Sequence, residues 1–167
     1  PPILVDRLAI NRLILDKELA GQDAVLGITG RLAESGQGAV ALSLNVERQG
    51  GPPLALNLAG SLNYADWRLA VQASLTDAAG GLLATALAGP GGGPLEARLT
   101  GDGPLTDWKG RLAVTLADRN FADADLGLGV PLTSEAMVSW SLDARFTPPR
   151  MPAPAWAADL DRMLGHG

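Results

Sequence analysis

The sequence contains no cysteine and a single histidine, His166, which stands next to last in the chain. The lack of cysteine excludes disulfide frameworks, thiolate zinc sites, iron–sulfur clusters and cysteine nucleophiles. A Ser-His-Asp triad or a histidine-based metal site would have to use that terminal residue, although catalytic groups need a rigid scaffold. We therefore predict a protein that is not an enzyme and that holds no cofactor and no metal.

The chain is also poor in aromatic residues, at 4%, and in positive charge, with a formal net charge of −5. We expect no nucleic-acid partner, because this charge provides no basic field to neutralise phosphates. No hydrophobic run approaches the roughly 18–20 residues that span a bilayer, and no signal peptide opens the chain. Any membrane anchor of a parent protein is therefore expected outside these residues.

Hydrophobic residues, mainly Leu and Ala, make up 47% of the chain and recur with a period of two. Over residues 40–46, Val and Leu alternate with small or polar residues, which predicts a strand with one apolar face. The same alternation recurs at 54–58, 69–75, 95–99, 112–116 and 138–142. Turn residues such as Asp102-Gly103-Pro104 separate these runs. The pattern predicts an all-β fold of roughly eight to ten antiparallel strands, joined in sequence as a meander.

Two segments depart from the strand period and predict short helices. Leucines and alanines spaced by one, three and four residues precede Gly89-Pro90, which predicts a helix near residues 79–88. A second short helix is predicted over residues 156–164, after a proline-rich stretch. We therefore divide the chain into a repeating β segment, residues 1–147, and a proline-rich linker with a terminal helix, residues 148–167.

The chain also contains an internal near-repeat. Residues 66–71 read Asp-Trp-Arg-Leu-Ala-Val, and Asp107-Trp108 is followed by Arg-Leu-Ala-Val at residues 111–114. In one interpretation, the strand-start interpretation, Asp-Trp marks the start of a strand: Trp covers the sheet edge and Asp closes the turn. A compatible interpretation is a repeating meander, in which each unit extends one long sheet.

A sheet with a continuous apolar face must cover that face, and two architectures do so. One long sheet can curl into an open β-groove whose apolar inner face takes a ligand, or two sheets can close as a sandwich or barrel. We predict the open groove, because a smooth aliphatic lining suits acyl chains, which need no directional polar contacts. The predicted lining residues are Leu42, Leu44, Leu56, Leu58, Leu69, Val71, Leu112, Val114 and Leu116. In a closed structural or adhesion module the same residues would form an ordinary core.

Several ordered motifs resemble the TamB family, the inner-membrane component of the translocation and assembly module. They are Val-Asp-Arg-Leu-Ala-Ile-Asn-Arg-Leu at 5–13, Leu-Ala-Gly at 19–21, Leu-Gly-Ile-Thr-Gly at 26–30, Gly-Gly-Leu-Leu at 80–83 and Leu-Thr-Gly-Asp-Gly-Pro-Leu-Thr-Asp-Trp-Lys-Gly at 99–110. The Gly-Asp-Gly-Pro-Leu-x-Asp-Trp run is the most specific of them. The similarity covers most of residues 3 to about 145.

This resemblance implies a long periplasmic protein of AsmA-like type, anchored in the inner membrane of a Gram-negative cell. Such proteins form a β-sheet groove that is implicated in moving phospholipid toward the outer membrane. TamB also partners an outer-membrane barrel protein of the Omp85 type. The family's membrane anchor and its partner-binding domain are not matched here, so the resemblance implies an internal segment whose partners are phospholipid acyl chains.

One cluster of acidic residues has two interpretations. The alternation places Asp123 and Asp125 on one strand face, with Asp118 nearby, where the carboxylates could attract a calcium ion. The spacing of a calcium loop is missing, so we expect a solvated surface instead.

Overall fold

The computed structural model describes residues 5–15, 22–35, 38–131 and 137–147. These residues form nine strands, one α-helix and a short 3-10 helix at Leu105–Asp107. The helix α1 is Leu82–Ala88, and the strands are β1 Val5–Leu15, β2 Ala24–Ser35, β3 Ala39–Arg48, β4 Leu54–Asn63, β5 Arg68–Asp77, β6 Leu95–Pro104, β7 Trp108–Leu116, β8 Arg119–Gly129 and β9 Ser139–Phe146. The predicted proline-rich linker and terminal helix, 148–167, lie outside the described residues.

All nine strands belong to one antiparallel sheet, whose spatial order follows the chain from β1 to β9. Among the residues that the structure describes, the sheet does not close on itself, and β1 and β9 form its two edges. This confirms the prediction of an open antiparallel meander with a short helix. A closed sandwich requires a second sheet, and the residues that the structure describes form a single one.

The strand register places the apolar residues of neighbouring strands opposite one another. Leu44 of β3 pairs with Leu58 of β4, and Leu58 pairs with Ala73 of β5. Leu99 of β6 pairs with Leu112 of β7 in the same cross-strand row. Because side chains alternate between the two sides of a strand, this register gathers the aliphatic residues on one side of the sheet. We call this side the apolar face and the opposite side the hydrophilic face.

The sheet is bent around β6. Some Cα atoms of β5 and β7 lie within 8 Å of each other, although β6 runs between these strands. In a flat sheet, strands two apart are separated by about 9.5 Å. The curvature therefore brings these strands closer than a flat sheet allows, as the prediction of a curled sheet requires.

Helix α1 packs against the apolar face at one end of the strands. Leu82 joins a buried cluster with Leu26 of β2 and Leu54 of β4. Ala84, which is fully buried, joins a second cluster with Leu95 and Leu116. The helix predicted near residues 79–88 is thus present, and it provides a second layer over this end of the sheet.

One predicted turn lies inside a strand. The sequence predicts a turn at Asp102-Gly103-Pro104, but β6 continues to Pro104, which pairs with Arg68 of β5. Pro104 is the last residue of the strand, a position where its missing N–H is tolerated. The chain reverses immediately afterwards, through the 3-10 turn at Leu105–Asp107.

Candidate functional site

The structure places every predicted lining residue on the apolar face. Leu42 of β3 pairs with Gly60 of β4, and both Val71 of β5 and Val114 of β7 pair with residues of β6. The strands that carry the predicted residues therefore contribute to one surface. The residues come from β3 (Leu42, Leu44), β4 (Leu56, Leu58), β5 (Leu69, Val71) and β7 (Leu112, Val114, Leu116).

Most of these residues are partly accessible to solvent. Leu42 is 42% exposed, and seven others are half-buried between their cross-strand neighbours. Leu116 is different, because it is 1% exposed beneath helix α1 and packs with Ala84 and Leu95. Leu116 therefore belongs to the protein's own core, whereas the other predicted residues form an open aliphatic surface.

The apolar face is chemically uniform over its central rows. From β2 to β9, the charged residues in register with this face include Glu34, Arg48 and Asp77, and all three stand at strand ends. Between these ends, the row that runs across the sheet contains Gly30, Leu44, Leu58, Ala73, Leu99, Leu112, Ala124 and Ala144. The surface offers dispersion contacts and very few hydrogen-bonding side chains.

Alanine side chains are less exposed on the apolar face than on the hydrophilic face. Ala122 and Ala124 on this face are 7% and 6% exposed, although the nearest helix lies at the end of the strands. On the hydrophilic face, Ala41 and Ala59 are exposed. Since all four side chains are the same size, the difference reflects the larger neighbours on the apolar face and not the residue type.

Trp108 lies on the apolar face at the start of β7, and α1 packs at the other end of this strand. Its side chain is 7% exposed, and its ring lies over two glycines, Gly101 of β6 and Gly110 of β7. A Cβ atom added at Gly110 would lie 2.5 Å from Cη2 of Trp108, and one added at Gly101 would overlap the ring. The glycines therefore provide the space in which the indole lies flat on the sheet.

Asp77 holds helix α1 on the apolar face. Its side chain is fully buried at the end of β5, and its Oδ2 accepts hydrogen bonds from the N–H groups of Leu83 (2.7 Å) and Ala84 (2.8 Å). These amides belong to the first turn of the helix, where they have no partner within the helix. A carboxylate at this position also interacts favourably with the helix dipole. The alternation over residues 69–75 predicts the strand but does not indicate this role for Asp77.

The two copies of the near-repeat have different local structures. In the first copy, Asp66 accepts a hydrogen bond from the backbone N–H of Arg68 at 3.3 Å, which closes the turn before β5. Trp67 has a φ of 52° and contacts Tyr64 edge to face, with ring centroids 5.9 Å apart. In the second copy, Trp108 starts β7 and lies on the sheet. The first copy agrees with the strand-start interpretation, and both copies extend one sheet, as the meander interpretation expects.

The hydrophilic face carries the charged side chains. Arg68 donates from Nε to Asp102 Oδ2 at 3.2 Å, and this hydrogen bond raises the pKa of the guanidinium. A shallow concavity of about 810 Å³ on this face is lined by small residues, such as Ala59 and Ala70, and by the polar residues Gln72, Arg111 and Asp125. It therefore combines apolar and charged groups, unlike the central rows of the apolar face.

The acidic residues of β8 do not form a metal site in the described part of the chain. Asp123 and Asp125 share the hydrophilic face, where Asp123 pairs in register with Ala113 and Arg145, and Asp125 with Arg111. Within the described ranges, no group of three or more His, Asp or Glu residues is arranged to hold a metal ion. Asp118 has a φ of 61° in the turn before β8.

Two further observations concern the chain as a whole. Among the described residues, no helix is long and apolar enough to cross a membrane. Comparison of the chain with protein-family models, curated proteins and solved structures gives no match. The resemblance to the TamB family therefore stays an expectation, and the apolar face is the feature of the chain that bears on its function.

Proposed function

We propose that the apolar face binds the acyl chains of phospholipids, and that the chain is a non-enzymatic, lipid-conducting segment of a TamB-like protein. The single observation that supports this most strongly is a continuous aliphatic surface on one side of a single-layer sheet. A domain normally buries such a surface against a second layer. In the described residues the second layer is helix α1, which packs at one end of the strands.

The composition of the surface supports an acyl chain as the occupant. Leu, Val and Ala side chains offer dispersion contacts without directional polar groups, which matches a chain of methylene groups. Each methylene group removed from water contributes about 0.8 kcal/mol. Ten methylenes fully removed from water would therefore gain about 8 kcal/mol before the cost of ordering the chain, and a chain covered on one side gains a fraction of this.

The wider setting of the proposal rests on the resemblance to the TamB family. In that setting the segment lies in the periplasm, as part of a protein anchored in the inner membrane. It conducts phospholipid between the inner and outer membranes, and contact with an Omp85-type barrel protein is made by parts of the parent protein outside this segment. The chain's role is then passive, because it provides a surface and performs no chemistry.

Native mass spectrometry with lipid extraction tests the proposal. The chain is purified under mild conditions from a Gram-negative host, and bound phospholipid is measured for the wild type, for Leu44→Asp and for Ser43→Asp. Leu44 lies on the apolar face, and its neighbour Ser43 lies on the hydrophilic face opposite Arg31. We expect phospholipid on the wild type and on Ser43→Asp, and at least a tenfold loss on Leu44→Asp.

The control is the circular-dichroism spectrum, which must show the same β content in all three proteins. A wild-type chain that carries no phospholipid, even after incubation with phospholipid micelles, would contradict the proposal. Equal binding by both variants would also contradict it, because binding would then not depend on the apolar face.

A further inference from the structure

The two edges of the sheet are built differently. The pairing of β1 with β2 has register irregularities between Val5 and Leu8 and between Ile10 and Leu13. Such bulges twist an edge strand and hinder its pairing with another chain. The pairing of β8 with β9 is regular from Gly129–Ser139 to Ala122–Phe146. The β9 edge therefore keeps the regular geometry that a further strand needs.

The β9 edge also carries exposed apolar side chains. Trp140, Leu142 and Phe146 are 77%, 57% and 68% exposed. All three lie on the apolar face, because they pair with Leu128, Leu126 and Ala122 of β8. A strand added to this edge would cover them and continue the apolar face.

The backbone hydrogen bonds define which residues of β9 face the open edge. Thr147 donates its N–H to the carbonyl oxygen of Phe121 on β8 at 2.9 Å. Hydrogen-bonded pairs alternate along an antiparallel ladder, so the odd-numbered residues of β9 bond to β8. The N–H and C=O groups of Leu142, Ala144 and Phe146 therefore point away from β8, to the side where the described residues place no strand. We call this side the open edge.

We infer that a second copy of this chain pairs with this edge, β9 against β9, antiparallel and centred on Ala144. In this register Asp143 of each copy lies opposite Arg145 of the other, and Leu142 lies opposite Phe146. The Asp–Arg positions are non-hydrogen-bonded pairs, in which the Cα atoms are about 4.5 Å apart and the side chains are closest. Two identical ion pairs then form on the hydrophilic face.

Charge complementarity favours the register centred on Ala144 over the registers shifted by one residue in either direction. Centring the pair on Asp143 would place the two Asp143 carboxylates opposite each other. Centring it on Arg145 would oppose two guanidinium groups. Like charges directly opposite are destabilising in antiparallel pairs. Of these three registers, the one centred on Ala144 pairs both charges of β9 with opposite charges.

The charges of β8 support the same arrangement. Within one chain, Asp143 lies directly opposite Asp125, so two carboxylates face each other across β8 and β9. Arg111 flanks this pair on the β7 side. Arg145 of the second copy would flank it on the other side and reduce the repulsion. This inference concerns the edge alone and holds whether or not the apolar face binds phospholipid.

Sedimentation-velocity and native mass spectrometry of the full chain, over about 1–200 μM, test the inference. We expect a reversible dimer in the wild type. Asp143→Arg puts two guanidinium groups opposite each other at each of the two charge pairs and should weaken dimerisation at least tenfold. The double variant Asp143→Arg/Arg145→Asp restores opposite charges in the same register, so it should recover most of the wild-type dimer.

Two further variants separate the β9 edge from other surfaces. Ala144→Pro removes an N–H that faces the open edge, so it should abolish the dimer while the monomer keeps its β content. Arg12→Asp on the β1 edge should leave the dimer unchanged. A wild-type chain that stays monomeric at about 200 μM, or a dimer that Asp143→Arg and Ala144→Pro leave intact, would overturn the inference. Failure of the double variant to rescue the dimer would overturn the register.

Discussion

At the scale of single residues, Trp108 depends on the glycines beneath it. The indole is 7% exposed, and Gly101 and Gly110 let it lie directly against the backbone. A side chain at either glycine would occupy the volume of the ring. The shape of this end of the apolar face therefore depends on two positions that carry no side chain.

We predict that Gly101→Ala destabilises the protein by about 1–3 kcal/mol, because the added methyl group forces Trp108 out of its place. Gly60→Ala is the matched control, since Gly60 lies in the same row and an added Cβ would meet only a backbone oxygen at 3.7 Å. It should change stability by less than about 1 kcal/mol. Urea unfolding followed by tryptophan fluorescence measures both, and equal effects would contradict this account.

The sequence predicts the residues of the apolar face but not the position of Trp108. Alternation is sufficient to assign Leu44, Leu58 and Leu112 to one face, because side chains of a strand alternate with a strict period of two. The near-repeat pairs Trp108 with Trp67, yet Trp67 stands in a turn with a positive φ and Trp108 stands in a strand. That difference depends on which glycines the neighbouring strand presents, which the local motif does not contain.

At the scale of elements, helix α1 is held by a cap that comes from a strand. Its N-cap residue, Gly81, makes no side-chain hydrogen bond, and Asp77 bonds to the first-turn amides instead. Gly81 is required for this contact, because a Cβ atom there would collide with Oδ1 of Asp77. A helix of seven residues is marginal in isolation, so this cap and the apolar contacts of Leu82 fix its position.

We predict that Asp77→Ala costs about 1–3 kcal/mol, because it leaves the buried amide of Ala84 and the part-buried amide of Leu83 without an acceptor. Asp77→Asn keeps an acceptor and should remain within about 1 kcal/mol of the wild type. Urea unfolding gives both values. If the alanine variant were as stable as the wild type, the proposed attachment of α1 would be wrong.

The sequence predicts strands well where Leu and Val occupy the apolar face, and less well where Ala occupies it. The alternation of Leu and Val predicts β3 to β7, and the glycine–proline stop predicts the end of α1. On β8, the residues opposite Val114 and Leu112 on the apolar face are Ala122 and Ala124. That strand therefore lacks the strong leucine alternation of its neighbours. The bulges of β1 and the extension of β6 to Pro104 depend on pairing with neighbours, and no local signal indicates them.

At the scale of the whole molecule, the described residues form a single sheet with very little core of its own. The buried clusters lie beneath or beside α1, and the rest of the apolar face is half-buried. The sequence predicted an open sheet with one apolar side, and the structure confirms it. The sequence could not distinguish a core from a binding surface, because both need the same aliphatic residues, and the single-sheet topology is what favours the binding surface.

The most direct test of the central claim is photocrosslinking with a phospholipid that carries a diazirine in its acyl chain, followed by mass-spectrometric mapping. Because side chains alternate between faces, we predict labelling with a period of two. Leu44, Leu58 and Leu112 should be labelled, and their neighbours Ser43 and Asn57 should not. Labelling of both faces alike, or labelling concentrated on the hydrophilic face, would contradict the proposal that the apolar face binds acyl chains.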